Sequence, residues 1–217
     1  MRPTLLAGED LPPAPAQKRS IAKRERLKAA ALALFGEKGY ESAFIGEIAA
    51  RAHLATGGFY LHYRSRRQLL LALMDELLEK LDQLDLRPGA WPDVRSGLHE
   101  LLAAAFSRDL KYLGAYRAWQ EAVLSDRSLA EKDAEIHAWT TARVLAVFRA
   151  LQRMPGARRG VDVKALARVM DAFFWSLLAR AVRMPKRELD QWVGTSATLI
   201  FHAMFVDPAP ALTSCAR

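Results

Sequence analysis

The stretch RLKAAALALFGEKGYESAFIGEIAARAHLATGGFYLHYRSRRQLLLAL, from Arg26 to Leu73, decides the fold. Its apolar residues recur at spacings near those of an amphipathic helix. The first helical pattern stops before Gly39, a residue suited to a helix C-cap. Two short apolar patterns follow, the first beginning with Phe44, and Ser65 is placed to cap a longer helix. Two short helices joined by a tight turn, between two longer ones, predict a helix-turn-helix.

The same part of the chain holds most of the net positive charge. Residues 18–67 carry eleven Lys or Arg against four Glu, whereas the net charge of the whole chain is +8. A basic module attached to a nearly neutral body is what binding to a polyanion requires. Charge alone leaves a second interpretation open, in which the basic surface is solvated and has no partner.

The rest of the sequence predicts an all-α protein of about nine helices. Residues 1–17 are rich in proline and are expected to form a disordered arm. A helix-turn-helix head at 18–67 continues into a linking helix at 65–86, and a helical body follows at 87–206. Five helices are expected in that body, at about 93–108, 111–124, 128–154, 162–183 and 185–206, with a tail at 207–217. A capping box from Ser128 to Glu131 is expected to begin the third of these five helices.

Composition and motifs narrow the function classes. The chain has 217 residues, of which 51% are hydrophobic, and its one cysteine is Cys215, so no disulfide framework can form within it. The longest apolar run, at 169–178, is too short to span a membrane and contains Asp171, which predicts a buried helix. No secretory signal is recognised, and a cytoplasmic location is expected. Because no His-x-x-x-His pair or glycine-rich phosphate loop occurs, an enzyme, a metal site and a cofactor are not expected.

The stretch from Arg26 to Leu73 resembles the DNA-binding domain of tetracycline-repressor-like (TetR) regulators. The resemblance covers about a quarter of the chain and implies only an all-helical plan for the remainder. It implies a homodimer that binds a pseudo-palindromic double-stranded operator and responds to a small-molecule effector. The residues that carry the resemblance are, in chain order, Ala30, Phe35, Gly39, Tyr40, Ile48, Ala49, Phe59, Tyr60, His62, Tyr63, Ser65, Arg66, Leu69 and Leu70.

The residues expected to contact DNA lie in the second short helix and just after it. Tyr60 and His62 can donate hydrogen bonds to phosphate oxygens, although they could instead cover an edge of the core. Arg66, where the family usually has Lys, is expected to meet a phosphate at the start of the linking helix. Base contacts are expected from the first turn of the recognition helix, at Ala55, Thr56, Gly57 and Gly58.

The recognition helix departs from the family pattern in three places. Ala52, His53 and Leu54 stand where Ala-Gly-Val is usual, and Ala55 and Gly58 stand where Ser and Thr are common. Adjacent glycines predict a soft helix, because each mid-helix glycine costs roughly 0.5–1 kcal/mol relative to alanine. In one interpretation, the backbone approaches DNA closely and Thr56 contacts thymine methyl groups. In the other, the recognition helix discriminates less strictly among operator sequences.

The helical body is rich in aromatic residues, which form either a core or the wall of a ligand cavity. The resemblance implies a cavity, and we expect a small apolar or amphipathic ligand. Glu121 is a further polar candidate on one of these helices. The candidate ligand-binding residues are His99, Tyr116, Arg117, Trp119, Gln120, Trp139, Arg143 and Phe174.

The last two helices are apolar over wide arcs, which predicts that further helices cover a second side. The resemblance implies that they pair with their mates in a four-helix bundle. Such a dimer reads two half-sites about 34–36 Å apart, or a multiple of that distance. The residues expected at the dimer interface are Leu166, Met170, Phe173, Leu177, Trp192, Leu199 and Ile200.

The sequence therefore favours a transcriptional repressor whose effector shifts the linking helix and separates the two heads. Three alternatives stay open. The chain could activate transcription, or a protein partner could control it without any small molecule. The rival from another class is an all-helical enzyme, for which no nucleophile–base pair or metal cluster is recognised.

Overall fold

The computed structural model describes residues 1–87, 91, 93–109, 112–181 and 184–206, without the side chains of 106–109. The described chain is all-α, which confirms the predicted fold class. The expected tail and Cys215 lie outside the described residues. The nine helices within them are α1 (Lys18–Lys38), α2 (Ile45–Arg51), α3 (Thr56–Tyr60), α4 (Arg66–Asp82), α5 (Val94–Asp109), α6 (Leu113–Val123), α7 (Arg127–Leu151), α8 (Val163–Ala181) and α9 (Lys186–Met204).

The helices α1, α2 and α3 form the head around a small aromatic core. Phe35, Phe59 and Tyr63 are fully buried there, and the ring centroids of Phe59 and Tyr63 are 5.9 Å apart. α1 ends at Gly39, whose φ is 82° and whose N–H donates to the Phe35 carbonyl. Because glycine adopts positive φ without steric penalty, the chain can reverse there. The predicted C-cap is confirmed.

The long helix α4 joins the head to the body. Its N-cap is Ser65, whose hydroxyl accepts from the Gln68 amide at 3.2 Å, as predicted. α4 ends at Asp82, four residues before the expected end. Its last carbonyls are used by a neighbouring helix, because Arg143 of α7 donates to the carbonyl of Leu81 at 2.9 Å. Side-chain donors of this kind satisfy the carbonyls that a helix end leaves without partners.

Residues 2–10 lie against α4, which corrects the expectation of a disordered arm for this part of residues 1–17. Leu5 is fully buried in the core of the head and body. The carboxylate of Asp75 accepts from the Arg2 guanidinium and from the Leu5 amide, both at 3.0 Å. Glu9 pairs with Arg67 at 2.6 Å. Proline prevents regular structure here, but it does not prevent apolar and ionic side chains from packing.

In the body, α7 lies along α8 and α5 lies along α9. The N-cap of α7 is Asp126, whose carboxylate accepts from the amides of Ser128 and Leu129. The capping box predicted from Ser128 to Glu131 is therefore wrong, since an acid two residues earlier already holds the free amides. Among the helices described, none is both long and apolar enough to cross a membrane.

Candidate functional site

The turn between α2 and α3 has the geometry of a helix ending in a left-handed residue. His53 has a φ of 55°, its N–H donates to the Ala50 carbonyl, and the Leu54 N–H donates to the Ala49 carbonyl. This pair of bonds is the one that glycine usually closes at a helix C-terminus. Histidine adopts this conformation more readily than most residues with a Cβ. The two short helices thus hold their relative orientation with His53 at a position that favours glycine.

The recognition helix α3 presents an almost bare surface. Phe59 is its one buried residue, whereas Thr56, Gly57 and Tyr60 are exposed. A Cβ at Gly57 would meet nothing within 4 Å, while one at Gly58 would touch Leu54 at 3.6 Å. The N-cap is Ala55, which is exposed and offers no side-chain acceptor. The exposed face of α3 can therefore approach a partner closely. It carries a hydroxyl group at each end of the helix, on Thr56 and on Tyr60.

His62 is buried, in contrast to its expected place on the outer face. Only 5% of its surface is exposed. Burial and the positive charges of Arg24 and Lys23 lower the pKa of His62 below its ordinary value of 6.5. The imidazole is consequently neutral near pH 7 and is not available on the surface as a phosphate donor. The physical reason is that α3 ends at Tyr60, so His62 does not continue its helical face.

Arg66 holds the turn between α1 and α2, in contrast to its expected phosphate contact. Its guanidinium donates to the carbonyls of Glu41 and Ala43 at 2.9 and 3.2 Å and to the Glu41 carboxylate at 3.1 Å. It also stacks on the ring of Tyr40, 4.1 Å from its centroid. These contacts leave little of the guanidinium for a ligand.

Positive charge beside the recognition helix comes from α1. Lys18, Arg19, Lys23 and Arg26 are exposed, and none forms an ion pair with any residue that the structure describes. Arg24 faces inward, and its Nε donates to the Tyr63 hydroxyl at 3.1 Å. The N-terminal half of α1 is thus a basic surface fixed to the end of α3.

Two apolar side chains on the head were not expected at the surface. Phe44 is 64% exposed and Leu61 is 71% exposed. Phe44 is the N-cap of α2 and does not belong to its apolar face. The one signal in the sequence that distinguishes the exposed Phe44 from Ile45 is that Phe44 lies one residue before the start of α2.

The helix α6 joins the body to the head. Arg117 donates to the Gly36 carbonyl at 2.6 Å, and Glu121 accepts from the Tyr40 amide at 2.6 Å. At Gly114 the helix approaches the backbone of α1 so closely that no Cβ would fit. Arg117 and Glu121, both expected to contact a ligand, therefore hold the two parts of the chain together.

A largely apolar cavity of about 130 Å³ lies among the end of α4 and the helices α5, α7, α8 and α9. Of the candidate ligand-binding residues, Trp139, Arg143 and Phe174 line it. The expected residues that do not line it are His99, Tyr116, Arg117, Trp119 and Gln120. The remaining lining residues are Leu81, Leu84, Leu86, Leu98, Leu101, Leu102, Ala105, Thr140, Val144, Val147, Phe148, Met170, Asp171, Phe173, Ser196 and Ile200.

Few polar groups reach the wall of this cavity. The Oδ2 atom of Asp171 lies 3.1 Å from Nδ1 of His137. This contact raises the pKa of His137. The hydroxyl of Thr140 accepts from the Trp175 indole at 3.2 Å. Within the described residues, no group of three or more His, Cys, Asp or Glu is placed to hold a metal. An apolar wall with few polar groups suits a small organic molecule.

Residues 27–73 match the family model of bacterial regulatory proteins of the tetR family. The match covers 47 of the 217 residues, and over this stretch the chain is similar to the domain of tetR-family regulators. A relative from Bacillus subtilis, the uncharacterized HTH-type transcriptional regulator YvdT, is 37% identical over 68 residues, which are 31% of this chain and 35% of that protein. The matches to the first curated relatives span 17–35% of their lengths.

Solved structures extend the likeness in fold to most of the chain. A gamma-butyrolactone receptor described as ArpA-like has a TM-score of 0.65 at 21% identity, with 86% of this chain and 90% of that chain covered. The structure of a SmeT–triclosan complex also has a TM-score of 0.65, at 22% identity, with 90% and 98% covered. The helical body therefore has the same fold as the bodies of these proteins.

The last two helices expose a narrower apolar face than expected. Leu177 and Ile200 are buried within the chain, and Met170 and Phe173 line the cavity. Leu199 is 57% exposed. Leu166 and Trp192 are partly buried, and Val169, which was not in the expected set, is 60% exposed. The reason is that part of the wide apolar arc on α8 and α9 lines the cavity, and only the remainder lies on the outer surface.

Proposed function

We propose that this chain is a sequence-specific, DNA-binding transcriptional repressor that a small apolar or amphipathic molecule releases from its operator. The observation that carries the proposal is the course of α4. This helix begins in the head at the Ser65 cap, and Leu81, in its last turn, lines the cavity. A change in the cavity wall therefore acts directly on the element that positions the recognition helix.

On DNA, α3 enters the major groove with its exposed face toward the bases. Thr56 reads base edges with its hydroxyl and methyl groups, and the bare backbone at Gly57 permits a close approach. Tyr60 donates to a phosphate oxygen. The exposed lysines and arginines of α1 neutralise neighbouring phosphates, which makes the affinity strongly dependent on salt.

The ligand signal passes through Arg143. This residue lines the cavity and holds the end of α4 through the carbonyls of Leu81 and Leu84, at 2.9 and 3.1 Å, and through the carboxylate of Asp82, at 3.2 Å. A ligand that fills the cavity competes with the present position of this side chain. It releases the operator if it binds more tightly to the arrangement in which the end of α4 has moved.

Operator binding requires two copies of the chain. We propose a two-fold dimer through the exposed side of α8 and α9, which includes Val169 and Leu199. Such a dimer presents two recognition helices to half-sites about 34–36 Å apart, or a multiple of that distance. The site of action is DNA in the cytoplasm.

The test is fluorescence anisotropy of a labelled duplex taken from upstream of the protein's own gene, at two salt concentrations. Unlabelled random duplex is the competitor, and the Thr56→Ala variant is the control for base reading. Binding that survives a large excess of random duplex supports a sequence-specific regulator. If random duplex removes the binding, and selection from a random pool enriches no sequence, the proposal is wrong.

A further inference from the structure

Asp171 lines the cavity and has one carboxylate oxygen without a hydrogen-bond partner among the described residues. Its side chain is 4% exposed, and its Oδ1 is buried without a hydrogen-bond partner among the residues that the structure describes. Buried carboxylate oxygens almost always accept at least one hydrogen bond in folded proteins. Because Asp171 lines the cavity, a ligand there is placed to supply the missing donor.

The other oxygen of this carboxylate is already held. His137 contacts Asp171 Oδ2 through Nδ1 at 3.1 Å and faces Asp133 through Nε2 at 3.7 Å. Asp133 in turn accepts from the Trp119 indole at 2.7 Å. This chain of contacts fixes the orientation of the Asp171 carboxyl group. Because Nδ1 of His137 contacts Oδ2 and Nε2 faces Asp133, the imidazole is not placed to donate to Oδ1.

The charges around the cavity favour a cation. Arg143 also lines the wall, but its guanidinium is committed to the carboxylate of Asp82 and to the end of α4. Among the described residues that line the cavity, Asp171 is the one carboxylate. A ligand cation next to its Oδ1 is therefore attracted by the negative charge of this group.

The rest of the wall suits the apolar part of such a ligand. Trp139, Phe173 and Phe174 line the cavity, and aromatic faces attract cations as well as apolar groups. The volume of about 130 Å³ is near the value of about 150 Å³ for a cavity that accepts benzene. The ligand is therefore about one aromatic ring with a short chain.

We propose that the cavity binds a compact apolar amine in its protonated form, with an ammonium N–H donating to Asp171 Oδ1. This inference rests on the proposed function only in treating the cavity as the effector site. It narrows the ligand from any small apolar molecule to an ammonium ion on an apolar body.

The test compares three probes of nearly equal shape by isothermal titration calorimetry on the full chain: 2-phenylethylamine, 2-phenylethanol and propylbenzene. Wild type is expected to bind the protonated amine at least tenfold more tightly than propylbenzene, with the alcohol between them. Asp171→Asn should abolish that preference. Asp162→Asn is the matched control, because it makes the same change at an exposed cap just before α8 and should keep the preference.

Equal binding of amine and propylbenzene to wild type overturns the inference, and so does a preference that survives in Asp171→Asn. The wild-type comparison decides the matter alone if Asp171→Asn does not fold. The amine is then added to the protein–duplex complex in the anisotropy assay. Binding that depends on Asp171 without release of DNA upholds the cavity assignment and contradicts the effector control in the proposed function.

Discussion

Replacing Gly114 by alanine is expected to force the head and the body apart. A Cβ at this position would lie 2.1 Å from the Leu32 carbonyl oxygen and 3.0 Å from the Gly36 amide nitrogen. Both atoms belong to the backbone of α1, so no rotation of a side chain can relieve the contact. Reaching an ordinary separation of 3.4 Å from the Leu32 oxygen requires α1 and α6 to move apart by about 1.3 Å.

That movement also breaks two short hydrogen bonds between α6 and the end of α1. The bonds from Arg117 to the Gly36 carbonyl and from the Tyr40 amide to Glu121 are each 2.6 Å long, so both would exceed the hydrogen-bond range. Overpacking costs about 1–3 kcal/mol, and a hydrogen bond to a charged group contributes about 1.5–3 kcal/mol. Alanine in a helix returns about 1 kcal/mol. We expect the variant to lose roughly 3 kcal/mol of unfolding free energy, since the helices yield in part.

The assay is urea and thermal unfolding of the full chain, followed by its helical circular dichroism. A loss of this size should lower Tm by roughly 6–12 °C in a chain of this length. Gly57→Ala is the matched control, because its Cβ meets no atom within 4 Å and should raise stability slightly. A Gly114→Ala variant as stable as wild type would refute the reasoning.

Three further predictions concern the head and the histidines. His53→Gly should stabilise the chain by about 1 kcal/mol, because a left-handed residue with a Cβ costs roughly 1–2 kcal/mol. His53→Ala keeps the Cβ and should not stabilise the chain. Equal Tm values for the two variants would count against strain at His53. Thr56→Ala should change the preference among duplex sequences, whereas Tyr60→Ala should weaken all duplexes alike in competition anisotropy; a uniform effect of Thr56→Ala would show that it does not read bases. Unfolding over a pH series should separate His62 from His137. Since the pKa of His62 is lowered, wild type should lose stability relative to His62→Asn as pH falls through 6.5. Since the pKa of His137 is raised, the greater stability of wild type over His137→Asn should be full below pH 6.5 and should fade at higher pH. The same slope in both comparisons would contradict the assigned environments.

The sequence predicts two helix caps of the head, because caps depend on a few adjacent residues. Gly39 and Ser65 act as expected for this reason. The sequence pattern places His62 wrongly on the outer face, because its helical repeat is continued beyond Tyr60, where α3 ends. It misplaces Arg66 because its partner Glu41 lies 25 residues earlier, and such a contact leaves no local pattern.

The cavity is less predictable than the head. The polar side chains of α6 suggest a ligand site, but a helix that faces another part of the same chain has the same mixed polarity. Arg117 and Glu121 are therefore assigned to the wrong surface. Asp171 leaves one local sign, an acid inside an apolar run. Whether its second oxygen finds a donor depends on how α7 packs against α8, which the sequence does not encode locally.

The length of α4 turns it into a lever. Its 17 residues measure about 26 Å, at about 1.5 Å per residue. A tilt of about 5° about the cavity end moves the end in the head by roughly 2 Å. In the proposed dimer the two heads move in opposite directions, so their spacing changes by roughly 4 Å. Successive base pairs are about 3.4 Å apart, so this small tilt is enough to put the second head out of register with its half-site by a full base-pair step.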